Sequence, residues 1–65
     1  MFFRTSQNIT LGNTGVTLEA YARGIVSVSG VSGSTTGSIL AVGYNGKIYS
    51  AFIESGNIVN AKVFQ

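Results

Sequence analysis

The ionisable chemistry of this 65-residue chain rests on very few side chains: Glu19 and Glu54, the cations Arg4, Arg23, Lys47 and Lys62, and the phenols of Tyr21, Tyr44 and Tyr49. Two carboxylates can share acid–base work only if the fold brings them together, and these two stand far apart in the chain. There is no histidine, so the usual proton shuttle and the commonest transition-metal ligand are missing. There is no cysteine either, which removes thiolate chemistry and disulfides. Serines and threonines abound with no imidazole to activate them. A Ser-Lys arrangement with Lys47 or Lys62 is chemically conceivable, but nothing in the spacing favours one. The two lysines read instead as solvent-facing strand residues that discourage edge-to-edge pairing. The expectation is a non-enzymatic protein with no cofactor and no metal.

Binding is the chemistry that remains. Tyrosines flanked by polar residues can grip a sugar ring or a partner side chain, although most in small β domains cover a core with the hydroxyl at its rim. Tyr44 stands out because it adjoins Asn45-Gly46, the strongest hairpin signal in the chain, which fits a type I′ turn. A second candidate surface is the stretch "GIVSVSGVSGSTTGSI", residues 24–39. A phosphate loop needs a Lys-Ser/Thr pair and a following helix, and a dinucleotide fingerprint also needs a helix. Neither is present. The stretch reads as a loop between two strands, with Ser34, Thr35 and Thr36 as small polar contacts. The sequon "NIT", residues 8–10, reads as a chance match on a strand.

The elements that must position these residues show period-two alternation. "NITL" and "VTLEAYA" flank the turn-rich "GNTG". "RG" breaks the pattern, which predicts a tight turn or bulge at Gly24. "IVSVS", "SILAV", "KIYSAFIE" and "IVNAKVF" follow, the last pair joined by a turn at Gly56. In "KIYSAFIE", Ile48, Ser50, Phe52 and Glu54 share one face. In "IVNAKVF", Val59, Ala61 and Val63 share one face and Ile58, Asn60, Lys62 and Phe64 the other. Connections this short exclude the crossovers of parallel strands. The fold class is therefore all-β: a small antiparallel sandwich or meander of five to six strands, forming one domain over residues 1–65.

Several strands are apolar on both faces, with Ile25 against Val26, Ile39 against Leu40 and Ile53 against Phe52. A half-solvated antiparallel sheet would show a cleaner polar face. Hydrophobic residues make up 45% of the chain and charged residues 9%, against about 25% charged in an average domain. A domain this small usually needs a staple, and oligomerisation is the one its composition allows. The expected partner is the chain itself. The scattered cations lack the clustered stripe of a nucleic-acid binder. No run is long enough to insert into a membrane, and "MFFRTSQ" lacks the pattern of a signal peptide.

At "GIVSVSGVSG" and "SILAVGYNGKIYSAFIESGNIVNAKV" the chain resembles the C-terminal tips of bacteriophage tail fibres and receptor-binding proteins. The matching residues are Gly24, Val26, Val28, Ser29 and Gly30, then Gly43 and Tyr44, then Gly56, Asn57 and Ile58. The resemblance covers roughly residues 16–64. It implies a homotrimeric, virion-borne, extracellular module that attaches to a bacterial surface glycan or holds a fibre tip together. On that reading the candidate contacts are Tyr44, Asn45 and Tyr49, then Ser34, Thr35 and Thr36. A structural virion decoration protein or a self-assembling extracellular filament subunit is the alternative, and a small intracellular binding barrel a third.

Overall fold

The computed structural model describes residues 1–64. Seven strands form without any helix: β1 (Phe2–Arg4), β2 (Ile9–Thr10), β3 (Thr17–Leu18), β4 (Arg23–Ser29), β5 (Thr36–Val42), β6 (Ile48–Glu54) and β7 (Asn57–Phe64). Five of them make one antiparallel sheet in the order β1-β4-β5-β6-β7, and β2 and β3 form a separate two-stranded ribbon. Strands β4 to β7 are a meander, the all-β antiparallel arrangement that the alternation predicts. β1 has too little alternation to announce itself and is recruited onto the free edge of β4, with Phe3 opposite Gly24.

The ribbon lies over one face of the sheet. Leu11 and Leu18 from the ribbon region pack with Ala22, Ala41 and Tyr49, and Phe3, Val16, Ile58 and Ala61 close the periphery. This inner face is built from small residues where the layers approach most closely. A Cβ on Gly24 would stand 2.5 Å from the Phe3 ring and 2.6 Å from the Leu40 carbonyl oxygen. Gly24 is therefore a close-packing position inside β4 and not the turn predicted at "RG". The chain reverses earlier, at Ala20 and Tyr21, and cuts "VTLEAYA" down to the two residues of β3.

Thr5 fastens that reversal to the sheet. Its buried hydroxyl donates to the Glu19 carbonyl at 2.7 Å and accepts from the Ala22 N–H at 3.0 Å. Its backbone adds two more bonds, donating to the Ala22 carbonyl and accepting from the Tyr21 N–H. Tyr21 is held at a φ of 66°, a left-handed conformation that costs an L-residue about 1–2 kcal/mol.

Two turns differ from expectation in an instructive way. Ser55 and Gly56 both have positive φ and directly join the paired Glu54 and Asn57, so the type I′ turn sits there. At Asn45-Gly46 only Gly46 is positive. The Gly46 N–H donates to the Gly43 carbonyl and the Gly43 N–H to the Lys47 carbonyl. That is a three-residue loop ending in a left-handed glycine. The glycine-rich stretch is the strand-to-strand loop it was read to be, spanning residues 30–35 between β4 and β5.

A bulge changes the face assignment in β7. Ser50 pairs with Lys62 and Phe52 with Val59, so Ala51 faces both Asn60 and Ala61. Asn60 takes a φ of 54° at the extra position. Residues before the bulge thus swap sides relative to simple alternation. Ile58 joins Ala61 on the inner face, and Val59 joins Lys62 and Phe64 on the outer one.

Thr5→Val keeps the shape of the side chain but strands the Ala22 N–H and the Glu19 carbonyl. Each buried unpaired group costs about 1–3 kcal/mol, so a denaturant melt should show a clear drop in midpoint, with Thr5→Ser close to the parent. Gly24→Ala should also destabilise, by about 1–3 kcal/mol, because its Cβ meets backbone that cannot rotate away.

Candidate functional site

The candidate side chains fall at three places. Tyr44 and Asn45 are exposed at the tip of the β5–β6 hairpin. Ser34 and Thr35 lie in the β4–β5 loop, and Thr36 begins β5. These two groups are at opposite ends of β5, about 20 Å apart at the rise of a strand. Tyr49 is in neither group: it is 4% exposed and belongs to the core cluster. The fold therefore assembles no single site from all six.

Local hydrogen bonds explain the hairpin tip. The Asn45 Oδ1 accepts from the Lys47 N–H at 3.1 Å, and the Asn45 N–H donates to Glu19 Oε1 at 3.2 Å. Asn45 thus spends its carbonyl oxygen shaping the turn, and Tyr44 is left as the projecting side chain, 83% exposed. At the other end, the Thr35 hydroxyl donates to the Val31 carbonyl, and the Thr35 carbonyl accepts from the Gly56 N–H. The loop is stitched to itself and to the β6–β7 turn.

The two carboxylates are not brought together either. Glu19 spans from the reversal at Ala20 to the β5–β6 tip. Glu54 ends β6, at the opposite end of the sheet, paired with Asn57. No acid–base pair of carboxylates results. Among the described residues no group of histidine, cysteine, aspartate and glutamate could hold a metal ion. Asn8 of the sequon accepts from the Ala20 N–H through its Oδ1 at 2.9 Å, a structural use of that side chain.

Sequence reasoning named Tyr21 among the tyrosines that can stack on a sugar but ranked Tyr44 above it, and it did not single out Arg4 or Arg23 as contacts; the structure gathers all three beside Tyr44. The Tyr21 and Tyr44 rings meet edge to face, centroids 6.4 Å apart and planes at 64°. Arg4 and Arg23 sit directly opposite each other on β1 and β4. An open hollow of about 410 Å³ is lined by Arg4, Tyr21, Arg23, Val42, Gly43 and Tyr44. No spacing rule would have joined residues 4, 21, 23 and 44. Only the pairing of β1 with β4 and the Glu19 bridge do so.

Burial pushes the Tyr49 phenol above its ordinary range, and the nearby Glu19 charge pushes the same way, with partial relief from a hydrogen bond to the Glu19 backbone. The folded chain therefore keeps this proton to higher pH than the unfolded chain, which releases it near pH 10. The contribution to stability is whole below about pH 10 and is lost as pH rises through the folded value. Chemical denaturation between neutral and strongly alkaline pH should show that loss, and Tyr49→Phe should make it shallower.

No family model, no curated protein and no solved structure matches this chain.

Proposed function

We propose that the chain is a non-enzymatic attachment and assembly module that works as a homo-oligomer, in the manner of a phage tail-fibre tip. The observation that carries this reading is the outer face of the five-stranded sheet. Rows of side chains cross it from strand to strand: Phe2, Ile25, Leu40, Ser50 and Lys62 in one, and Val42, Ile48 and Phe64 in the next, which ends on Arg23 and Arg4 at a corner of the sheet, outside the apolar part. Most are large, apolar and open to solvent, with Leu40 at 53%, and Phe52, at 52%, stands in the row beyond Ser50. Contiguous apolar surface of this kind marks an interaction site.

The surface area points the same way. The chain exposes 4459 Å², whereas a folded monomer of 6.8 kDa exposes about 4,000 Å². Burying the apolar part of the outer face against further copies would complete the second half of a core that the ribbon completes on the inner face. A homotrimer, as the resemblance implies, is one closed arrangement of such faces, carried on a virion or otherwise outside the cell, with a bacterial surface glycan as its target.

The open edge of β7 supports the second reading, a filament or lattice subunit growing by strand pairing. That edge is blunted, however, by the bulge at Asn60 and by exposed Lys62. Both are devices that discourage edge-to-edge growth. Association through the face is favoured over association through the edge.

Light scattering over a wide concentration range tests the proposal. A constant mass of three chains is expected, and Leu40→Lys, at the centre of the face, should reduce it to a single folded chain. A mass that climbs with concentration would transfer the case to the filament reading. A parent chain that stays monomeric throughout would overturn self-assembly.

A further inference from the structure

Arg4 and Arg23 are an unfavourable pair as they stand. Like charges directly opposite on neighbouring strands destabilise a sheet, and these two are exposed cross-strand partners. The chain has only two acidic side chains with which to offset them. Glu19 stands at the Gly43 rim of the hollow, where its Oε1 accepts from the Asn45 N–H, and Glu54 lies at the far end of the sheet. The arrangement therefore has unspent capacity for an anion. Guanidinium groups meet a planar oxyanion in a two-pronged fashion, which suits a carboxylate.

The same hollow offers a second and different kind of contact. Tyr21 is 63% exposed and Tyr44 83%, and their edge-to-face contact sets two ring surfaces at an angle beside the arginines. Neither ring is spent on the core. The backbone that carries them is held: Tyr21 by the Thr5 carbonyl on its N–H, and the hairpin of Tyr44 by Glu19 Oε1 through the Asn45 N–H. The left-handed φ of Tyr21 is a strained conformation for a bulky residue, and strain of this kind gathers at ligand contacts. The volume of about 410 Å³ lies within the ordinary range for small-molecule sites, about 300–1,000 Å³.

Guanidinium groups beside exposed, angled phenol rings suit a sugar ring, whose C–H face lies on an aromatic ring, bearing a carboxylate. We propose that Arg4, Arg23, Tyr21 and Tyr44 form a surface site for a carboxylate-bearing saccharide. The arginines take the carboxylate, and the tyrosines take the ring. This rests on the attachment reading above and names its ligand class, and it replaces Asn45 and Tyr49 with Arg4, Tyr21 and Arg23 as the partners of Tyr44.

Amide chemical-shift titration of the full chain tests it, with glucuronic acid as probe and glucose and inorganic phosphate as comparisons. Glucuronic acid should shift resonances of Arg4, Tyr21, Arg23 and Tyr44 and their neighbours, and glucose should need at least a tenfold higher concentration. Arg23→Gln and Tyr44→Ala should each weaken the glucuronic acid response at least tenfold while leaving the rest of the spectrum unchanged, and Tyr44→Ala should also leave the solution mass unchanged. Equal response to glucose would overturn the role of the arginines. Phosphate binding as tight as glucuronic acid, insensitive to Tyr44→Ala, would reduce the site to a bare anion contact and overturn the saccharide. No shift at these residues overturns the site alone, because solution mass reports on assembly independently. Conversely, a monomer that binds glucuronic acid through these residues keeps the site and sinks the assembly.

Discussion

The buried hydroxyl of Thr5 is the interaction on which most of this structure depends. It joins the short β1 segment to the reversal at residues 19–22 by donating to one backbone carbonyl and accepting from one backbone N–H. Were these groups buried without it, each would be left unpaired at a cost comparable to a large share of a small domain's stability. With the bonds made, Leu18 and Ala22 enter the core, Tyr21 is turned outward and Glu19 reaches the β5–β6 hairpin. The second layer, the strained tyrosine and the fixed hairpin tip follow from that one fastening.

The sheet's two faces then serve different ends. On the inner side, Ala41 packs with Leu11 and Leu18 of the ribbon region, and Gly24 makes room for the Phe3 ring across the neighbouring strand. That closeness suits a chain with few residues, since a small core must be dense to be worth its conformational entropy. On the outer side the same strands carry large apolar residues with nothing over them. The ribbon covers one face of the sheet and leaves the other open, and that asymmetry is the observation behind the proposed assembly.

The candidate site shows where alternation and turn chemistry stop being informative. Tyr44 was legible because a glycine turn beside an aromatic residue projects that residue outward. Asn45 drew notice for the same turn, and the turn itself consumes its carbonyl oxygen. Tyr49 looked like its neighbour in composition, but strand parity sends it inward to the core. Arg4, Arg23 and Tyr21 carry no motif at all. They meet because β1 crosses back to β4 from a distance that local patterns do not encode.

The order of residues by itself determined the strands β4 to β7, their antiparallel meander and the position of the glycine-rich loop, but not β1 or the shortness of β3. These follow from side-chain parity and short connections, both local properties of the chain. The tertiary structure alone decided the rest. A bulge at Asn60 reversed the faces of β7, because one extra residue flips the parity of everything beyond it. A tight approach at Gly24 turned an apparent turn into a packing position. The type I′ turn went to Ser55-Gly56, where the strands pair directly across two residues, and not to Asn45-Gly46, where Glu19 and Lys47 shape a wider loop. The Arg-Tyr hollow came from contacts distant in sequence, whose energies depend on which backbone groups burial leaves in need of partners.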